Sequence, residues 1–170
     1  MELRLSSCTI RPWRTSDLES LVLHADNPRI AANLRDVFPS PYTRADGEAW
    51  LAMTDAHRTN FAIEVDGAAV GGIGLRLGDD VHRRTAEIGY WIGEACWGRG
   101  IVTEAVGALT SWGIEHFDLV RVDAHVFAPN VGSARVLEKN GYVLEGRLRK
   151  RVEKRGEILD SLVYAFVVED

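Results

Sequence analysis

The 170-residue chain has only two cysteines, two methionines and five prolines, and no excess of positive charge. Cys8 and Cys96 show no metal-ligand spacing, and two thiols are too few for a disulfide framework, so two unrelated reduced cysteines and no bound metal are expected. Nowhere do about 18 consecutive apolar residues occur, and Met1-Glu2-Leu3-Arg4-Leu5 opens no apolar segment. No membrane span or export signal is therefore expected, and the cytoplasm is the expected location. A net charge of -5 argues against a general nucleic-acid binder. Trp13, Trp50, Trp91 and Trp112 are scattered rather than interleaved with basic residues, so they read as packing groups rather than a base-stacking surface. There is no internal repeat and no low-complexity segment.

What is present is enough apolar material, 46% of residues against 26% charged, to bury one substantial core, and residues 1–170 are expected to form one domain. Leu3 to Arg11 reads as a first strand. Ser16-Asp17-Leu18-Glu19 reads as a capping box opening a helix to about His24, with a second short helix after Pro28. Thr43 is the expected N-cap of a helix reaching about His57, with Ala45, Ala49, Leu51 and Met53 on its apolar side. Phe61, Ile63 and Val65 alternate, Asp66-Gly67 makes a tight hairpin turn, and Ala69 to Leu77 returns as a strand. Tyr142 to Val152 and Ile158 to Val168 read as a final hairpin around Lys154-Arg155-Gly156-Glu157. The expected class is α/β, with a mixed, mostly antiparallel sheet flanked by helices.

The stretch that carries most information lies between these hairpins. Ala86 to Gly93 has the β-branched and aromatic content of a short buried strand. After Trp97, the run Gly98-Arg99-Gly100-Ile101-Val102-Thr103 leads into a helix with Val102, Ala105, Val106, Leu109, Gly113 and Ile114 at helical spacing. Two glycines at a helix start leave backbone N–H groups and the positive dipole end open to an anion, and a pyrophosphate fits there. A Walker loop would need Lys then Ser or Thr, where Arg99-Gly100 stands. The dinucleotide fingerprint would need Gly or Ala where Thr103 stands. A tight strand-to-helix turn without a ligand is the plain alternative.

About thirty positions on, the span of one strand-helix-strand crossover, comes a second constellation. Leu119 to Phe127 alternates like a strand, Ala128-Pro129-Asn130-Val131-Gly132-Ser133 follows, and Ala134 to Tyr142 forms a short helix with Val136 and Leu137 inward and Gly141 as its stop. Asn130 and Ser133 thus fall near a helix N-terminus.

Together these motifs resemble the GNAT family of acetyl-coenzyme A-dependent N-acetyltransferases, in particular its RimJ/RimL-like, ribosomal-protein N-terminal branch. The resemblance covers nearly the whole chain. The family's pyrophosphate loop, Arg or Gln, two residues, Gly, one residue, then Gly or Ala, falls on Trp97, Gly100 and Val102. Trp97 and Val102 depart from it, but the loop binds through backbone N–H groups that any side chain leaves intact. Trp-Gly-x-Gly before Thr-Glu-Ala, Asn130-x-x-Ser133 and Asn140-Gly141-Tyr142 are typical of the branch, and Phe38-Pro39-Ser40-Pro41-Tyr42-Thr43 resembles its substrate-side segment. The resemblance implies a GNAT fold in which two parallel strands, ending near Gly93 and Phe127, splay apart to admit the pantetheine arm.

On that reading, exposed backbone groups of Trp91, Ile92 and Gly93 bond the arm, and Ile92 or Gly93 N–H faces the thioester oxygen. Gly98, Arg99, Gly100, Ile101, Val102 and Thr103 hold the diphosphate, and Asn130 bonds the arm or serves as a turn residue. Ser133, as in RimL-like enzymes, returns a proton to the leaving thiolate, or is a serine bonded to its own helix backbone. Glu87 is the candidate base, as a buried carboxylate. His125 and water are alternatives, and an amine with a pKa near 8 needs little help. Asp160 is a polar position able to hold an amine. Cys96 has no neighbouring histidine to activate it, so direct attack on acetyl-CoA by a primary amine is expected rather than an acyl-enzyme.

The acceptor is a protein N-terminus or a small-molecule amine, with no direct nucleic-acid contact, in a monomer or homodimer. A non-catalytic acyl-CoA-binding sensor is the alternative of another class. Arg147, Arg149, Lys150, Arg151, Lys154 and Arg155 read as a charged edge strand, with Arg147, Arg149 and Arg151 on one face. An acidic partner or RNA is the sharper reading of that segment.

Overall fold

A computed structural model describes residues 1–54 and 59–169. Its strands are β1 (Leu3–Arg4), β2 (Thr9–Arg11), β3 (Asn60–Val65), β4 (Ala68–Leu77), β5 (Thr85–Ile92), β6 (Arg121–Phe127), β7 (Val143–Lys154) and β8 (Glu157–Val167). The helices are α1 (Leu18–Ala25), α2 (Pro28–Ala31), α3 (Arg44–Thr54), α4 (Ile101–Phe117) and α5 (Val131–Lys139). The strand order is β1-β2-β3-β4-β5-β6-β8-β7. β5 and β6 run parallel while β1–β2, β2–β3, β3–β4, β6–β8 and β7–β8 run antiparallel, which is the mixed, mostly antiparallel α/β sheet the sequence implied. The chain divides into two compact units, one of Met1–Gly74 and Tyr90–Ala105, the other of Leu75–Gly89 and Val106–Asp170, so that β4, β5 and α4 each run through both.

In the first unit the expected single strand over Leu3 to Arg11 is a hairpin of two short strands, because Ser6 and Ser7 turn the chain and Leu5 N–H donates to Cys8 C=O at 2.9 Å. Arg11, 1% exposed, meets both oxygens of Asp17 at 2.7 and 2.8 Å and also pairs with Glu64. These carboxylates raise the guanidinium pKa and keep the buried cation compensated. Asp17 also accepts from Arg14 N–H at 2.8 Å, so the first helix is entered through a 3-10 turn held by that one bond, not through a Ser16/Glu19 box. Thr43 and Asp46 do form the reciprocal N-terminal box: Thr43 N–H donates to Asp46 at 2.7 Å and Asp46 N–H to Thr43 Oγ1 at 3.3 Å.

The buried side of α3 differs from expectation. Gly47, Trp50 and Leu51 pack inward while Ala45, Ala49 and Met53 are exposed. A Cβ on Gly47 would stand 2.9 Å from Leu18 Cδ1 and 3.0 Å from Val22 Cγ2, so the bare glycine sets how closely α1 approaches. The expected continuation to His57 lies outside the described residues. Asp66 and Gly67 take positive φ of 51° and 82°, the conformation of the two-residue hairpin turn foreseen between β3 and β4.

In the second unit, α4 buries Val106, Leu109 and Thr110, and Gly113 lets Leu75 approach. Val102 and Ile114 of the expected face are only half-buried, and Ile101 and Thr110 are buried in their stead. Leu137 and Ala134 face inward from α5, Val136 is half-buried, and Gly141 at φ 78° ends the helix as foreseen. β7 is the last strand in the order, so the basic segment does lie on an edge. Its pairing with β8 shifts register between Leu144 and Gly146 and again between Leu148 and Val152. The second bulge breaks the alternation between Arg147 and Arg151, so the shared face expected for the three arginines is not kept.

Candidate active site

Within the first unit, the end of β5 leads through a 3-10 turn (Glu94–Cys96) to an exposed loop, residues 97–100, and then α4. Gly98 and Gly100 have φ of 73° and 80°, and a Cβ on either would meet nothing within 4 Å. Glycine is therefore required by backbone conformation and not by crowding, and the space beside each backbone stays open. The first turn of an α-helix has N–H groups with no intrahelical acceptor, and the ladder of α4 begins with Glu104 N–H donating to Gly100 C=O at 3.1 Å. Ile101 and Val102 precede that bond.

Side chains brace the loop from outside. Trp97 Nε1 donates to Ile92 C=O at 3.0 Å, and the Arg29 guanidinium sits 5.1 Å from the Trp97 ring centroid. Arg29 also pairs with Glu94, which accepts from Asn27 Nδ2 at 2.8 Å. Arg99 extends its guanidinium to 3.9 Å from Cys96 Sγ. Glu104, in the first turn of α4, accepts from Ser6 N–H at 2.8 Å, Ser6 Oγ at 2.7 Å, Ser7 N–H at 2.9 Å and the Ser7 hydroxyl. These donors hold its carboxyl down at about 2. None of Asn27, Arg29, Glu94 or Glu104 was foreseen at the site, because their partners lie 65 to 98 residues away and no local pattern announces them.

The backbone of Trp91, Ile92 and Gly93 is more committed than expected. Gly93 N–H donates to Val70 C=O at 2.8 Å, so it is withdrawn from the thioester-facing role. Trp91 C=O is directed at Gly71, where a Cβ would stand 2.4 Å from it. Alternation along a strand then turns the Ile92 N–H to the edge away from β4. Gly93 is needed for another reason: a Cβ there would stand 2.5 Å from His24 Nδ1, and burial lowers the pKa of that histidine, keeping it neutral.

In the second unit the parallel register of β5 and β6 runs from Thr85–Arg121 to Glu87–Asp123, and no further pair of it appears among the described residues. β6 meanwhile stays paired with β8 from Arg121–Val167 to Phe127–Ser161. One edge of β6 beyond Asp123 is thus left for an added strand. After β6, Asn130 caps α5, its Oδ1 accepting from Ser133 N–H at 3.1 Å, so its oxygen is committed and only its Nδ2 donors remain to offer. Ser133 is half-buried in the first turn of that helix.

Glu87, expected as a buried carboxylate, has a side chain that is 33% exposed and ion-paired with Arg76. His125 is exposed on β6, and Asp160 is occupied by Arg147 Nε at 2.6 Å and Lys150 N–H at 2.8 Å, which lower its pKa. These bonds pin the β7 bulge, so Asp160 reads as a structural group. No group of three or more metal-ligating side chains occurs among the described residues.

Gly98 and Gly100, both at positive φ, make a backbone-lined strand-to-helix junction in an α/β domain. The chain belongs to the GNAT acetyltransferase family, whose domain model matches residues 8–143. It is similar to YjcK of Bacillus subtilis (strain 168), named as an N-acetyltransferase, with 41% identity over 87 residues, 51% of this chain and 48% of that one. It is 30% identical over 143 residues to YdaF of the same organism, provisionally named a ribosomal N-acetyltransferase, covering 84% of this chain and 74% of that one. The structure of Mycobacterium smegmatis RimJ in complex with CoA-disulfide superimposes with a TM-score of 0.82 at 26% identity, covering 98% of this chain and 86% of that one. The chain spans about half the length of several curated Bacillus relatives it matches: 48%, 55% and 62% of three of them. No helix among the described residues is long and apolar enough to cross a membrane.

Proposed function

We propose that residues 1–170 work as one domain that transfers acetyl from acetyl-CoA to a primary amine, of a protein N-terminus or a small molecule, by direct attack. The observation that carries this reading is the exposed loop whose Gly98 and Gly100 take positive φ at the start of α4. In this reading residues 98–103 hold the diphosphate, with backbone N–H groups of the glycine loop and the helix dipole turned to it. The Ile92 N–H suits an amide-bearing arm, which binds as an added strand does. YdaF and RimJ bear names tied to ribosomal-protein and coenzyme A chemistry, which favours an N-terminal amine as acceptor.

In the proposed reaction the neutral amine forms a C–N bond at the thioester carbon, the Ile92 N–H stabilises the charge gathering on its oxygen, and the C–S bond breaks. Ser133 gives its hydroxyl proton to the departing thiolate and is reprotonated from water, and the ammonium proton formed on attack leaves through water with Glu87 as its acceptor. Arg76 holds that carboxylate in place. The domain works in the cytoplasm, as a monomer or homodimer, with no direct contact to nucleic acid.

The test is thiol release from acetyl-CoA with a panel of peptide N-termini, polyamines and amino acids, beside calorimetry of acetyl-CoA binding. Binding with turnover of at least one amine is expected. Tight binding without turnover on any amine would hand the chain to the sensor reading, and no binding would remove both.

A further inference from the structure

We infer that the bulge of β7 is a docking surface for an acidic polypeptide, which lies along the outer edge of the strand and meets Arg149, Lys150 and Arg151 with its carboxylates. This surface lies within the second unit and does not depend on the proposed acetyl transfer. β7 is the last strand in the order, so its outer edge pairs with no strand among the described residues. Within a chain of net charge -5, residues 147–155 hold six cations and one acid, Glu153. Protection of an edge from stray pairing needs charge alone, whereas this segment also has a built shape.

Between the pairs Leu148–Ser161 and Val152–Leu159, three residues of β7 face one residue of β8, Asp160. Asp160 fixes the excess: its oxygens accept from Lys150 N–H at 2.8 Å and from Arg147 Nε at 2.6 Å. Lys150 is held at a φ of 54°, a left-handed conformation that is unfavourable for a lysine and persists where neighbours enforce it. Bulges re-aim side chains, and the outcome here is three consecutive cations, all exposed. None of Arg149, Lys150 and Arg151 forms an ion pair among the described residues, and the acid opposite them, Asp160, is taken by Arg147.

The charge and the edge together select the occupant. A second copy pairing its own β7 there would set these cations against their like, which disfavours it. β7 contains no aromatic residue, so RNA bases find no stacking platform on it. An extended acidic chain gains twice: its main chain pairs with the outer edge as an added strand, and its carboxylates take the forked N–H donors of Arg149 and Arg151. Leu144 and Leu148, both exposed, offer apolar contact alongside.

The experiment follows dye-labelled octaglutamate, octaglutamine and octauridylate on the full chain by fluorescence anisotropy, at low and at physiological salt. Octaglutamate should bind, more weakly as salt is added, and octaglutamine should not. Amide exchange along β7 should slow in the complex. The triple variant Arg149→Gln, Lys150→Gln, Arg151→Gln should lower the affinity about tenfold, the size of three exposed ion pairs, with the circular dichroism spectrum kept. Asp160→Ala separates a built surface from bare charge. It deletes a negative charge, so a plain electrostatic patch would then hold octaglutamate more tightly, whereas loss of the bulge should weaken binding several-fold. No binding of octaglutamate, an affinity unchanged in the triple variant, tighter binding by Asp160→Ala, or unaltered exchange along β7 overturns the inference. Octauridylate bound more tightly than octaglutamate would give the surface to nucleic acid, and a dimer that the triple variant dissociates in sedimentation would give it to a second copy; either result overturns it as well.

Discussion

The two helices that follow β5 and β6 begin in opposite ways. α5 is closed by its own chain, with the Asn130 oxygen on the Ser133 N–H at 3.1 Å. α4 is preceded by Gly100, which has no side chain with which to cap it, and its first-turn acid, Glu104, is turned to Ser6 and Ser7 rather than to the loop. Both are strand-to-helix junctions, yet only at α4 does a glycine with positive φ stand immediately before the helix. A helix N-terminus thus accepts a foreign anion when the sequence withholds the side chain that would satisfy it.

The sharpest way to break this contrast is to make the α4 junction unable to adopt its shape. Gly100→Val places a β-branched residue at φ 80°, where it is strained, and crowds the open backbone. We expect acetyl-CoA affinity to fall about a hundredfold by calorimetry with the circular dichroism spectrum kept. A variant that binds as tightly as the parent would mean that the loop does not grip the diphosphate.

Next in size is the chemical role placed on the capped helix. Ser133→Ala removes the proton donor while Asn130 still caps through the backbone N–H, so kcat should fall about a hundredfold with KM for acetyl-CoA near its starting value, as general-acid loss does. Unchanged turnover would return Ser133 to a helix-start serine.

Asn130 separates capping from ligand binding. Asn130→Ala loses the cap and should cost about 1 kcal/mol in denaturant unfolding. Asn130→Asp keeps the accepting oxygen but deletes the Nδ2 donors, so stability should hold while acetyl-CoA affinity drops several-fold. Equal loss in both measurements would reduce Asn130 to a cap.

How much of this was legible in the sequence follows the range of each interaction. The glycine loop, the Thr43 cap, the Asp66-Gly67 turn and the Gly141 stop are governed by residues within a few positions, and each stands where the sequence places it. Leu3 to Arg11 was misread because a two-serine turn is a weak local signal, and what holds it, Glu104, is 97 residues away in sequence. Gly93 was misread because whether a strand N–H is free depends on its neighbour strand, here Val70. The exposure of Glu87 and its Arg76 partner are properties of the folded sheet. The inward face of α3 went to Gly47, since close approach to Leu18 outweighed the apolar pattern. Fold class and loop were therefore readable locally, whereas the donors and acceptors at reaction distance depend on pairing between strands.

The smallest effect sharpens the same contrast from the side of stability. Glu104 is held at about 2 in the folded chain against an ordinary value of 4.5, because hydroxyl and amide donors of Ser6 and Ser7 favour its charged form. A carboxyl with a depressed folded pKa contributes stability that is present above its unfolded value and is lost as pH falls toward the folded one. Glu104→Gln should therefore lower the melting temperature modestly at pH 7, and the gap between variant and parent should narrow as pH falls from 4.5 to about 2. Acetyl-CoA affinity at pH 7 should stay within a factor of about two, since the residue acts on the β1–β2 turn and not on the loop. A constant gap across that pH range would show that Glu104 contributes by shape rather than by charge, whereas a large loss of affinity would mean that the turn it anchors also shapes the open end of α4.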